Sequence, residues 1–399
     1  MVSVAEAADI IFSNLYKAPV ENASLRESVN RVLGEKVTAD RDFPPFDRVS
    51  MDGIAIQFQE FKNGRKEFPI EFTQAAGDPQ KKLRNANSCV EVMTGAVLPL
   101  DSDAVIRYED LEIKDGRASI LTENIDLGQN IHRKGIDCKQ HDTLLEPGIL
   151  LSPAEVALLA SIGKSTVDVF RLPKTAIISS GDELVDVNET PQPHQIRRSN
   201  TYAIEAAMQT LNWKGNHFHF PDTKEVLLKS LRGVLKDHEV LILSGGVSKG
   251  KFDFIPKVFE ELGVKKLFHQ VNQRPGKPFW FGISNEGKTV FALPGNPVST
   301  YMCFYRYIKP WILKSLSVDS YALSATLAKN FSFSPNLTYF LQVAVKTENG
   351  KLVAYPEAGG GSGDFVNLKN VTGFLELPPD KSTFAAGEIF SYFPFRNFL

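Results

Sequence analysis

Apolar residues recur at helical spacing over Ala5–Tyr16, where Ala8, Ile11 and Leu15 share one face, and again over Leu25–Leu33. The spacing predicts a helix in each stretch. Asp42–Asp47 (DFPPFD) ends both periodicities, because adjacent prolines suit neither a helix interior nor a central strand. From about Asp52 to Asp142 short alternating runs take over: Ile54–Phe58, Cys89–Met93, Ala104–Tyr108 and Ala118–Leu121. Gly, Asn and Asp lie between them, which predicts a small β-rich domain. Helical spacing returns at Ser152-Pro153-Ala154-Glu155, a capping box with proline at the first helical position. Val156, Leu159 and Ile162 continue that face to Gly163. The β-rich segment therefore reads as an insertion into a helical part drawn from both flanks.

Beyond Lys174 strands and helices alternate. Thr175–Ser179, Val240–Ser244 and Val290–Leu293 are apolar strands; Asn200–Leu211, Asp222–Lys236, Phe254–Leu262 and a long stretch from Val298 carry helical periodicity. Such alternation predicts a parallel sheet with helices on both faces. After Leu316 short strands return at Ala322–Ala328, Tyr339–Lys346, Val353–Pro356, Gly373–Leu377 and Ile389–Phe393, the pattern of a small barrel or sandwich. The expected class is a multidomain α/β and β protein: a central parallel α/β sheet domain, an inserted β-rich domain, a helical N-terminal part and a C-terminal β-barrel. The expected limits are 1–45 with 140–172, 46–139, 173–318 and 319–399.

Composition narrows the classes. The 399 residues are 43% hydrophobic, and 45 basic against 47 acidic residues leave a formal charge of −2. That balance excludes a dominant nucleic-acid-binding surface, though not a local basic pocket. No apolar run approaches the ~18–20 residues needed to cross a bilayer. The start of the chain lacks a basic n-region, so a cytoplasmic location without membrane insertion is expected. Cys89, Cys138 and Cys303 show no metal or disulfide spacing. The 28 phenylalanines against three tryptophans find no account in the sequence.

Candidate chemistry gathers on three loops that follow strands of the α/β part: Ser179-Ser180-Gly181-Asp182-Glu183, Ser244-Gly245-Gly246-Val247-Ser248-Lys249-Gly250-Lys251-Phe252-Asp253, and Leu293-Pro294-Gly295-Asn296-Pro297-Val298-Ser299. Ligands of open parallel sheets bind outside the carboxyl ends of strands, and glycines let backbone N–H groups approach an anion. Arg274-Pro275-Gly276-Lys277-Pro278 sets two cations in a stiff turn, an oxyanion clamp or a solvated hairpin. Glu183, Asp222 and Asp253 offer the hard oxygens that Mg²⁺ takes beside a phosphate, although Asp222 and Asp253 equally suit a helix start. In the β-rich part Asp52 follows the double proline, Thr94 ends a strand and Asp137 closes the basic turn His132–Asp137. Gly163-Lys164-Ser165-Thr166 is no phosphate loop: Leu158 replaces its first glycine and a helix precedes it. The histidines show no zinc spacing.

The ordered set PPFDRVSMDGIA, VMTGAVLP with DAVIRYED, IHRKGID, SPAEVALLASIG, SSGDEL, SGGVSKGKFD, RPGKP and ALPGNPVS resembles the molybdopterin molybdenumtransferases, which include the gephyrin E-type domains. The likeness runs from Ala5 to about Phe393. It implies transfer of molybdenum from molybdate, as substrate, into adenylylated molybdopterin with release of AMP. It implies Mg²⁺ on Glu183, Asp222 and Asp253, and catalytic roles for these acids with Asp52, Thr94 and Asp137. It implies substrate binding by Ser180, Gly181, Ser244, Gly245, Gly246, Ser248, Lys249, Arg274, Lys277, Pro294, Gly295, Asn296, Pro297 and Ser299, and by Ser362 in the glycine-rich turn. It further implies a homodimer with a shared site, and a molybdopterin adenylyltransferase as pathway partner. This chain departs from the family's usual cations at Gln270, Arg274, Thr338 and Gln342. An adenylyltransferase and a receptor-anchoring scaffold share parts of the resemblance; the flanking domains disfavour the first and the acid set the second.

Overall fold

The computed structural model describes residues 1–247, 254–318 and 323–396. They form two compact units, Met1–Gly34 with Pro147–Val156 and Thr166–Leu399, and Glu35–Glu146 with Ala157–Ser165.

In the first unit β1 (Thr175–Ser180), β2 (Gly215–Phe220), β3 (Val240–Ser244), β4 (Val264–Phe268), β5 (Trp280–Ser284) and β6 (Thr289–Leu293) make one sheet in the order β2-β1-β3-β6-β5-β4. β1, β3 and β6 are buried at every position, as central strands covered on both faces must be. Successive residues of β1 serve opposite faces. Ile177 packs with Ile204 and Met208 of the helix Asn200–Gln209. Ala176 and Ile178 pack with Leu227 and Leu231 of the helix Lys224–Asp237. β2, β1, β3 and β6 run parallel, whereas β5 and β4 run antiparallel to their neighbours. The sheet is thus mixed rather than wholly parallel. β5 meets β6 through the tight turn at Ser284–Lys288, closed by Gly287 N–H to Ser284 O at 2.9 Å, and so short a link joins only antiparallel strands.

Part of the phenylalanine content is explained here. Phe268, Phe279, Phe281, Phe291, Tyr307 and Trp311 form a chain of rings with centroids 5.0 to 5.6 Å apart on one sheet face. Such pairs add to the area they bury. The helix carrying Tyr307 and Trp311 runs as Pro297–Cys303, a π turn at Phe304–Ile308 and Lys309–Ser315.

The first helix spans Val4–Phe12 and opens on a reciprocal Ser3–Glu6 capping box. It stops short of Tyr16 because the chain then docks on the helix Lys309–Ser315: Trp311 Nε1 donates to Asn14 O at 2.9 Å and Tyr16 N–H to Ser315 Oγ at 3.0 Å. The helix expected over Leu25–Leu33 is replaced by one 3₁₀ turn, Leu25–Glu27. Tertiary pairing outweighs its helical spacing, since Val32 and Leu33 bridge to Leu150 and Val169 beside the antiparallel pair Val20–Ser24 with Thr166–Phe170. The flanks of the inserted segment therefore meet largely through strands. The helix Pro153–Ser161 is present, with Glu155 accepting from Ser152 N–H at 2.8 Å.

At the C-terminal end β7 (Leu323–Leu327), β8 (Thr338–Glu348), β9 (Lys351–Pro356), β10 (Gly373–Leu377) and β11 (Ile389–Pro394) close in the order β8-β9-β7-β11-β10, with β10 pairing back to β8. Ala325, Leu341, Val343, Leu375 and Leu377 fill the interior. Outside that ring, Gln273–Arg274 pairs in parallel with Thr338–Tyr339 of β8.

The second unit holds a six-stranded sheet that includes Gly53–Ile56, Cys89–Val92, Ala104–Arg107 and Arg117–Ile120, near the expected runs, and Glu67–Gln74, which the alternation did not reveal. Ile54 and Ile106 face one core, Ala55 and Val105 the other.

Candidate functional site

The carboxyl ends of β1, β3 and β6 open into one cleft of about 300 Å³. Ser179 and Ser180 come from β1, Ser244 and Gly245 from β3, and Gly295, Asn296 and Pro297 from the loop after β6. Gly245 N–H donates to Leu293 O at 3.1 Å, which locks two of the loops together. Asn200, in the first turn of its helix, adds Nδ2 bonds to Ser244 Oγ at 2.8 Å and Gly295 O at 2.7 Å. Thr300 Oγ1 donates to Pro294 O at 2.5 Å. Asn296 Nδ2 donates to Ser362 Oγ at 2.8 Å, so Ser362 joins this loop from far along the chain. Gly246 holds φ +68°, and a Cβ there would stand 2.9 Å from Ser180 Oγ and 2.5 Å from Ile255 Cδ1. Only glycine fits that turn without strain. Gly181 is buried at the end of β1, while Ser299 is buried in its helix, where Thr300 makes the loop contacts.

The other wall of the cleft is a segment the sequence reading left without a role. Leu184–Val185 pairs with Ile196–Arg197, and Arg197, Arg198, Ser199, Asn200 and Thr201 line the cleft. The signal available was the string Arg-Arg-Ser-Asn just before a helix, two cations followed by two residues typical of a helix start. Ser180 Oγ, Thr201 Oγ1 and Arg198 Nε are buried without a hydrogen-bond partner. Buried polar atoms are paired in the great majority of cases, and these three unpaired ones all belong to residues that line this one cleft.

Glu183 lines the cleft, and the adjoining turn carries Asp222, whose N–H donates to Asp182 Oδ1 at 3.4 Å. The following helix begins at Lys224 with Thr223 as its cap, so Asp222 is not the cap. These oxygen donors suit a hard cation. Asp253, Ser248 and Lys249 lie outside the described residues. Among the described residues no three His, Cys, Asp or Glu converge as a metal site. His219, at the end of β2, was also missed: its Nδ1 lies 3.0 Å from Ser179 Oγ. Burial holds its pKa below the usual 6.5, helped by Arg198 and opposed by Asp222 and Asp182, so the imidazole is largely neutral at pH 7.

Arg274 and Lys277 do not line this cleft. Lys277 is exposed, and the Arg274 guanidinium lies 5.9 Å from the Phe333 ring centre. Gln342 is buried and accepts from Asn367 Nδ2 at 3.2 Å, a place where a charge would pay desolvation. Thr338 is likewise buried. In the second unit Asp52 and Thr94 come together: Asp52 Oδ1 accepts from Thr94 N–H at 2.6 Å and Thr94 Oγ1 at 2.8 Å. Those two bonds lower the Asp52 carboxyl below its usual 3.8. Asp137 instead pairs with His132 Nε2 at 2.9 Å.

An open α/β sheet with glycine turns at its carboxyl edge has the architecture of an α/β ligand-binding protein. Three family patterns match this chain in order: the MoeA N-terminal region (domain I and II) over residues 2–163, a probable molybdopterin binding domain over 176–314, and the MoeA C-terminal region (domain IV) over 324–395. A molybdopterin molybdenumtransferase of Synechocystis is 40% identical over 397 residues, covering 98% of this chain and 100% of its own. Its Bacillus subtilis counterpart is 32% identical over 381 residues, covering 92% and 88%. The crystal structure of a molybdopterin biosynthesis MoeA protein from Pyrococcus horikosii matches with a TM-score of 0.85 at 29% identity over 100% of both chains. The chain belongs to the molybdopterin molybdenumtransferase family.

Proposed function

We propose that this protein transfers molybdenum from molybdate into adenylylated molybdopterin and releases AMP. The observation that carries the reading is the convergence of Ser179–Glu183, Ser244–Gly246 and Pro294–Pro297, distant in sequence, on one cleft with buried unpaired donors. A phosphoanhydride supplies the acceptor oxygens such donors need. No cysteine is among the described residues that line the cleft, so the soft ligands for molybdenum come from the substrate's dithiolene sulfurs. The protein's share is positioning and charge balance. Ser180, Ser244 and the Gly245–Gly246 turn hold the substrate phosphates, and Asn200 fixes the loops that carry them. Glu183, Asp222 and Asp253 would hold a Mg²⁺ ion, which would supply positive charge beside the pyrophosphate. Arg274 and Lys277, outside the lining of this cleft, serve the molybdate.

The reading includes a cytoplasmic homodimer in which Asp52, Thr94 and Asp137 of one chain serve the acids of the other. A molybdopterin adenylyltransferase supplies the substrate. No helix among the described residues is long and apolar enough to cross a membrane. The deciding experiment mixes purified protein, molybdate, Mg²⁺ and adenylylated molybdopterin and follows AMP. Release that stops with chelator and returns with Mg²⁺ supports the reading. Full release in excess chelator removes the metal from it; no AMP release here, together with formation of adenylylated molybdopterin in a parallel incubation with ATP and molybdopterin, makes the chain an adenylyltransferase instead.

A further inference from the structure

We propose that Arg198 is a phosphate clamp of the cleft, acting with Ser180 Oγ and Thr201 Oγ1 on the phosphate that leaves with AMP. The identity of the ligand rests on the reading above; the clamp itself rests on geometry. Four buried side-chain polar atoms among the described residues lack a partner, and three of them, Ser180 Oγ, Thr201 Oγ1 and Arg198 Nε, belong to residues lining this one cleft. The fourth, Trp280 Nε1, belongs to the sheet core. Ser180 is 5% and Thr201 1% exposed, so bulk water does not serve their hydroxyls.

Arg198 is held ready rather than spent. Its side chain is 15% exposed, its Nη2 pairs with Asp186, and its N–H donates to Val185 O at 2.9 Å. The Asp186 pair holds the guanidinium, the Val185 bond holds the backbone beside it, and Nε, a donor with no acceptor capacity, is left unused. The cleft lining carries two guanidinium groups, Arg197 and Arg198, and one carboxylate, Glu183, while Asp186 pairs with Arg198 from outside the lining. A guanidinium and two hydroxyls arriving from different elements suit a tetrahedral oxyanion, whose oxygens only accept. A pterin ring or a purine, with donors of its own, would leave part of that set unmatched.

The test uses the full chain and equilibrium dialysis with AMP and with adenosine, on wild type, Arg198→Met and Arg198→Lys. Arg198→Met should weaken AMP binding about 10–100-fold, the effect of losing a charge-assisted contact, and leave adenosine within about twofold. Arg198→Lys keeps the charge but not the fork, and should fall between. If Arg198→Met unfolds early on melting, the Lys variant carries the decision. AMP affinity unchanged within about twofold, or AMP and adenosine weakened alike, overturns the clamp. Affinity needs no turnover, so a wild type that binds AMP through Arg198 yet never releases AMP from adenylylated molybdopterin sinks the reaction and leaves the clamp standing.

Discussion

Replacing Gly246 by alanine tests whether the turn after β3 is shaped by close approach or only by its backbone angle. Gly246 has φ +68°, and a Cβ would lie 2.5 Å from Ile255 Cδ1 and 2.9 Å from Ser180 Oγ. Ile255 is 1% exposed and packed in the core, so its methyl has little room to yield. Gly287 is the natural control: its φ is +81°, and nothing lies within 4 Å of its Cβ position. A left-handed alanine costs roughly 1–2 kcal/mol at either site. Overpacking adds about 1–3 kcal/mol at Gly246 alone. Thermal unfolding followed by circular dichroism should therefore show Gly246→Ala melting roughly 2–12 °C below Gly287→Ala. AMP release at a temperature where both are folded should fall only for Gly246→Ala, because Ser180 is pushed from its place. Equal melting of the two variants would refute the close-approach argument.

Lys277→Ala should change stability within about ±0.5 kcal/mol and weaken molybdate binding by about 1.5–3 kcal/mol; early melting with normal binding would make the lysine structural. For Glu239, burial raises the carboxyl pKa, but Arg171, at 2.6 Å, the Lys174 N–H and Tyr16 outweigh it and hold the pKa below the usual 4.5. Its stabilisation is complete above that value and is lost as pH falls through the folded pKa, so the melting gap between wild type and Glu239→Gln should be widest near pH 7 and close in acid; a gap independent of pH would contradict the pairing. Mixing Asp52→Ala with Glu183→Ala subunits should restore about a quarter of wild-type AMP release if the site is shared in a twofold dimer, since half the dimers are mixed and half their clefts intact. No recovery after demonstrated subunit exchange would place each site within one chain.

The strands with few competing signals were legible. Val240–Ser244 reads as a fully apolar run and is one, because a central strand has no polar face to blur the pattern. β2 was harder to see: Asn216, His217 and His219 break its apolar run, and it lies at the sheet edge. Leu25–Leu33 carried a helical pattern that strand pairing with distant Val169 overrode, which no local window contains. The three glycine loops were visible as site candidates since their chemistry is local. Asn200, Thr201 and Arg198 were not, because their role comes from a segment folding over loops that are distant in sequence. The charged turn of Arg274 and Lys277 looked like part of the same pocket by composition, yet its neighbours are set by β8 rather than by the carboxyl edge of the sheet.

That last pairing bears on how such a protein can be taken apart or inherited. Gln273–Arg274 belongs by sequence to the α/β segment and by hydrogen bonding to Thr338–Tyr339 of the barrel. Arg306, from the helix after β6, also reaches the barrel at Glu376, 2.6 Å away. A barrel exchanged between relatives as a cassette would carry off the strand that holds Arg274 in register and expose an unpaired edge on what remains. The seam suited to recombination is therefore not the linker before β7. A workable graft would move Val271–Pro278 together with the barrel, so the cations of that turn travel with the barrel and not with the sheet they follow in sequence.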